Sequence, residues 1–209
     1  MVQIDPKKFQ ITHKAFLNHM EEEGDGVPFT GFGYRFFVSN EVSYKQETLR
    51  RARKIVQFSK WNAWSKKPGR IVEALKEVCK PAVSSNLMEH RYGEKKNSYS
   101  ALYKLDSMED LRAFEEHVQQ LYSVIQHSDD QIAPVFDELA KHLHEKKLGC
   151  KWDFVAYLLF LMRPERFFPI KSSKFEAVLR FWGIDAHIQY EVSWERSAAS
   201  WIVRKRSKS

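Results

Sequence analysis

The chain has few of the residues that usually betray a chemistry. Two cysteines, Cys79 and Cys150, occur in 209 residues. Two make neither a disulfide framework nor a four-ligand zinc site, so a reducing cytoplasmic setting is expected. No Cys-x-x-Cys and no His-Glu-x-x-His is present, and His142 and His144, two apart on a helical stretch, diverge rather than chelate. No metal or cofactor is therefore expected. The Gly-rich stretch GVPFTGFG matches neither a P-loop nor a dinucleotide fingerprint. The longest apolar run, Phe154 to Met162, is too short to span a bilayer. Lysines soon follow Met1–Asp5, where a signal peptide would be apolar.

What is present is positive charge, concentrated in one place. The formal net charge is +7. Residues 45–80 hold eleven Lys/Arg against Glu47, Glu73 and Glu77, a local excess of +8. A basic stripe of this kind suits nucleic acid. Hydrophobic residues at 43% and charged residues at 29% suffice for a buried core.

Helical spacing dominates, and the expected class is mostly α, with at most a short strand near 34–38. A helix over 6–22 points Phe9, Phe16 and Met20 inward, and a loop over GDGVPFTGFGYRFF follows. Asn40 caps a helix to about Lys60 with Val42, Leu49, Ala52 and Val56 on one face. Pro68 opens a helix using Ile71, Leu75 and Val78, and Pro81 ends it. Residues 82–105 read as irregular or short turns. Ser107 with Asp110 starts a helix with Leu111, Phe114, Val118, Leu121 and Ile125 inward. Helices over about 130–147 and 151–162 follow, parted at Gly149; the second is apolar nearly all round and hence central. A Ser173–Glu176 capping box starts a helix that ends at Gly183. A last helix, about 193–204, carries Trp194, Ala198 and Trp201. The expected organisation is one helical domain over 1–204, or two lobes, 1–105 and 106–204, around a basic cleft. Residues 205–209 form a basic tail, and the chain is expected to be monomeric.

Three constellations carry possible chemistry. In the first, residues 49–71, Arg50, Arg51, Arg53 and Lys54 cover a helix's outer face, while Lys60, Lys66, Lys67 and Arg70 surround Trp61 and Trp64. Cations neutralise phosphates and aromatic faces stack on unpaired bases; the alternative buries the tryptophans. In the second, Lys171, Ser172, Ser173 and Lys174 sit at a helix N-terminus, where free N–H groups and the dipole favour a phosphate; the alternative is a plain serine cap between solvated lysines. In the third, Phe29, Phe32 and Tyr34 lie in the Gly-rich loop, as a wedge or base-pocket wall or as a plug over the core.

Residues 141–184, with Leu148-Gly149, the apolar stretch Val155–Leu161, Pro169 and Gly183, resemble the core of helix-hairpin-helix DNA glycosylases. The hairpin has one glycine where that family has two, and Lys171 stands where its aspartate would be. The segment PERFFPI resembles a helical module attached to modification-dependent restriction ATPases. These resemblances imply a DNA partner, as a duplex with a flipped base or as a single strand, and a role in repair or in defence against phage DNA. Under the glycosylase resemblance Asp153 would hold a water or stabilise the sugar cation. Lys151 or Lys171 would serve as amine nucleophile after pKa depression. The plain alternative for Asp153 is that it complements its helix dipole. The expected function is a DNA glycosylase-like enzyme; the alternatives are a non-catalytic modified-DNA-binding module or restriction-system partner, and a basic protein-interaction domain.

Overall fold

The computed structural model describes residues 5–31, 34–88, 90, 97–149, 151–184 and 192–194. Its first helix, α1 (Pro6–Glu23), starts where the sequence dictates: Asp5 accepts from the Lys7 and Lys8 amides at 2.9 and 3.3 Å, and Pro6 takes the first helical position. Of the three residues expected inward, only Met20 is buried; Phe9 and Phe16 remain 41% and 38% exposed. They pack sideways instead, Phe9 on Trp182 and Phe16 on Phe29. Gly24 closes the helix because a Cβ there would overlap the Tyr34 hydroxyl and the Met20 carbonyl.

At most a short strand is expected near 34–38, and the chain there is helical: α2 (Arg35–Phe37) runs into a π-helical turn, Val38–Val42. Ser39 Oγ and Asn40 Nδ2 both donate to the Phe36 carbonyl at 3.0 Å, and Ser43 Oγ donates to Val38 O at 2.9 Å, side-chain bonds back onto the preceding turn of the kind that bends a helix. Asn40 lies inside the turn rather than capping the next helix.

Helix α3 (Ser43–Val56) buries Thr48, Ala52 and Val56 and stops at Gln57, whose φ of 47° is left-handed. A 3-10 turn, Phe58–Lys60, and the four-residue α4 (Trp61–Trp64) follow. Helix α5 (Arg70–Cys79) buries Ile71, Val72, Leu75, Val78 and Cys79. Pro81 opens the short α6 (Pro81–Ser84), and 3-10 turns cover Ser85–Leu87 and Ser100–Tyr103.

Helix α7 (Met108–His127) has the expected cap: Ser107 Oγ accepts from the Asp110 amide at 3.0 Å. Phe114, Val118, Leu121 and Ile125 are fully buried. The 3-10 turn Asp129–Gln131 joins it to α8 (Ile132–Glu145), and the short link makes the two antiparallel neighbours. After Gly149 (φ 80°) comes α9 (Trp152–Met162), every residue of which is buried. It is the central helix, as its composition demands. Its last carbonyls are satisfied from outside: Arg53 donates to Leu161 O and Met162 O at 3.1 and 3.3 Å, and Gln126 donates to Met162 O at 3.2 Å.

Helix α10 (Ser172–Phe181) ends as predicted. Gly183 (φ 84°) donates to Arg180 O and Ile184 donates to Leu179 O, with Leu179 and Ile184 both buried. That is a Schellman closure with its apolar contact. Its start differs. Lys171 occupies the cap position with no side-chain cap bond, and the helix begins at Ser172. Glu176 is buried and accepts from Arg180 at 2.6 Å. Among the described residues there is no strand, and no helix is long and apolar enough to cross a membrane. A single core cluster joins Ala52, Val56 and Leu75 to Phe114, Leu139, Leu158 and Leu179. Beyond Trp194, the expected last helix and the tail lie outside the described residues.

The α7–α8 contact contains a titratable pair. The His117 and His142 rings are 4.9 Å apart, and His142 Nε2 is buried with no hydrogen-bond partner. Burial foremost, then the neighbouring His117 and Lys146, hold the His142 pKa below its ordinary value; Asp110 and Glu145 oppose this. A histidine depressed in the folded state stabilises the fold fully above the unfolded pKa of about 6.5 and loses that contribution as pH falls toward the folded value. Urea melts at pH 7.5 and 5.5 will therefore show lower stability at pH 5.5. His142→Leu will shrink the difference; an unchanged difference would remove His142 as its source.

Candidate nucleic-acid interface

The basic segment divides into paired and unpaired cations. On α3, Arg50 makes a two-pronged contact with Glu47 at 2.6 and 2.7 Å, and Arg51 lies 3.6 Å from the same carboxylate and donates to Ala82 O. The Arg50 hydrogen bond, more than any other cause, holds Glu47 below the usual carboxylate range. Arg53 is spent on the end of α9. Lys76 and Lys80 pair with Glu73 and Glu77. By contrast, Lys54, Lys60, Lys66, Lys67 and Arg70 are exposed, and among the described residues none of them makes an ion pair; Lys54 acts on Glu47 electrostatically, without a salt bridge.

The two tryptophans part company. Trp61 is 1% exposed; its indole N–H donates to Val56 O at 2.9 Å, and its ring packs on Phe58 and Tyr122. The expectation that Trp61 meets DNA is thereby corrected: it is a core residue with its polar handle satisfied inside. Its role is to pin the 58–64 segment against α7. Trp64 is half-buried, and the Arg70 guanidinium lies 5.2 Å from its ring centre, within cation–π reach.

Two clefts meet at Arg70. One, about 330 Å³, is lined by Lys67, Pro68, Gly69, Arg70, Glu73 and Lys76, with Leu105 and Leu111. The other, about 280 Å³, is lined by Ile55, Gln57, Trp64, Arg70, Glu73, Ala74 and Glu77. The first is rich in cations; the second combines an aromatic wall with an amide and carboxylates.

The N-terminus of α5, where free amides could meet a phosphate, is already occupied. Glu115 of α7, 2% exposed, accepts from the Ile71 and Val72 amides at 2.7 and 3.0 Å. An internal carboxylate thus fills the place of the anion. The sequence reading missed Glu115. The available signal was its spacing, four after Leu111 and three before Val118, which puts a carboxylate on the inward stripe.

The other predicted site residues lie elsewhere. Asp153 is buried as the second residue of α9, Lys151 is exposed just before that helix, and Lys171 is half-buried at the start of α10. Lys174 is exposed. None of these lines either cleft at Arg70. The side chains of Ser172 and Ser173 lie outside the description, as does Phe32. Phe29 and Tyr34 form a plug: Phe29 meets Phe16 and Tyr34 edge-on, and the buried Tyr34 donates its hydroxyl to Val27 O at 2.8 Å. After α8 the Lys147 and Leu148 carbonyls face Lys104, whose amine lies 3.2 Å from Leu148 O. Among the described residues no group of three or more potential ligands could hold a metal.

No protein-family model, no curated protein and no solved structure matches this chain.

Proposed function

We propose that the chain is a DNA-binding helical module that grips the phosphate backbone through Lys54, Lys60, Lys66, Lys67 and Arg70. One observation carries the reading: these five exposed cations make no ion pair among the described residues, while Arg50, Arg51, Lys76 and Lys80 do. Cations left unpaired are available for counterion-releasing contacts with phosphates. Lys67 and Arg70 line one concave surface, so two of them can act on one stretch of backbone.

Binding is favoured over base excision by the contents of the clefts. Excision needs an acid or amine at the sugar of the extruded nucleotide. The acids lining the clefts, Glu73 and Glu77, are engaged by Lys76 and Lys80 at 2.8 and 2.6 Å. The residues the sequence offered for excision, Asp153, Lys151 and Lys171, line neither cleft, and the cleft amine Lys67 is exposed rather than enclosed beside a sugar. Incubation with duplexes carrying damaged or modified bases, followed by hot alkali, separates the alternatives. The module retards the DNA and leaves it unbroken. Alkali-labile breaks would establish a glycosylase instead, and absence of retardation would remove DNA as the partner.

A further inference from the structure

Gln57 is an unusual residue for its place. It terminates α3 at φ 47° and ψ 56°, the left-handed conformation that a helix end normally gives to glycine or asparagine. Its half-buried side chain lines the smaller cleft beside Trp64 and Arg70. A residue held in a disfavoured backbone region, with a polar side chain in a concave site, is a pointer to binding.

We propose that this cleft holds an unpaired, amino-bearing nucleobase, adenine first. The inference rests on the DNA-binding reading and names what the cleft beside the backbone grip takes. A carboxamide offers a donor and an acceptor side by side, the pattern that pairs with adenine's amino group and ring nitrogen. Glu77, which also lines the cleft, is a second acceptor for an exocyclic amine, although it also pairs with Lys80 at 2.6 Å. Trp64 backs the Arg70 guanidinium, and bases stack on guanidinium planes as they do on aromatic rings. The volume, about 280 Å³, lies just under the roughly 300–1,000 Å³ of typical small-molecule sites and suits a single base. Arg70 and Glu73 belong to both clefts, so a nucleotide with its base beside Gln57 places its phosphate toward Lys67.

The test is competition of dAMP and dIMP against a labelled single-stranded oligonucleotide bound to the whole chain. The two nucleotides are both purines and differ at the exocyclic amine, so stacking is held nearly constant. We expect dAMP to compete at least about fivefold better than dIMP, the lower end of what one two-pronged base contact supplies. In Gln57→Gly the preference disappears, while the melting temperature is unchanged or raised because glycine adopts the left-handed region freely. Equal competition in the wild-type chain, no competition by either nucleotide, or a preference that survives Gln57→Gly overturns the base site while leaving backbone binding intact. Failure of the chain to bind the oligonucleotide at all overturns the DNA-binding reading itself, and the base site with it.

Discussion

Replacing Glu115 by leucine will cost the fold about 3–5 kcal/mol, a large part of the roughly 5–15 kcal/mol that holds a domain together. The carboxylate is 2% exposed and is the acceptor for two amides, those of Ile71 and Val72. Leucine fills the space but accepts nothing, and each amide left buried and unpaired costs about 1–3 kcal/mol. Glutamine keeps an acceptor oxygen and loses only the charge at the positive end of α5, so Glu115→Gln will cost about 1–2 kcal/mol. Urea unfolding of the three proteins measures this order. Equal midpoints would mean that α5 does not depend on the carboxylate for its first turn.

The second large effect concerns binding. In a triple variant, Lys66→Ala, Lys67→Ala and Arg70→Ala, duplex affinity will fall by about 10- to 100-fold at moderate salt, and the log–log salt slope will become shallower by about 3. Stability will change by no more than about 1 kcal/mol, because the three side chains are exposed and the contact at risk is Arg70 on Trp64. Arg50→Ala, by contrast, will change affinity little, since Arg50 is held by Glu47 on its own helix. An Arg50 effect equal to that of the triple variant would show that ion-paired cations bind as well as unpaired ones and contradict the assignment.

These contrasts mark what was legible in the sequence and what was not. The long helices follow from local rules. Ser107 and Asp110 announce α7, the uniform apolarity of 154–162 announces a central helix, and Gly183 supplies the left-handed residue that closes α10. The charge excess of residues 45–80 is equally plain. Which of those charges remain available depends on tertiary pairing. Arg53 and Lys54 are adjacent and chemically alike, yet one donates to carbonyls of α9 more than 100 residues away and the other makes no hydrogen bond or ion pair among the described residues. Trp61 and Trp64 share the same lysine-rich flanks, and only the position of Phe58 and Tyr122 decides which indole goes inside. At most a short strand is expected near 34–38, at the end of the Gly-rich loop; the chain is helical there instead, with Ser39, Asn40 and Ser43 bonded to carbonyls of the preceding turn. The glycosylase resemblance gives Asp153 the role of holding a water or stabilising the sugar cation. The fold makes it part of a helix buried along its whole length, away from the cation-rich cleft.

The central claim is that unpaired cations between Lys54 and Arg70 bind phosphate, and it is most directly tested by titrating a plain duplex with the wild-type chain from about 50 to 200 mM salt. The account predicts measurable binding at the low end, with a slope of log affinity against log salt of about −3 or steeper, as expected when three or more phosphates are neutralised. A flat affinity across that range, or no binding at its lower end, would contradict it.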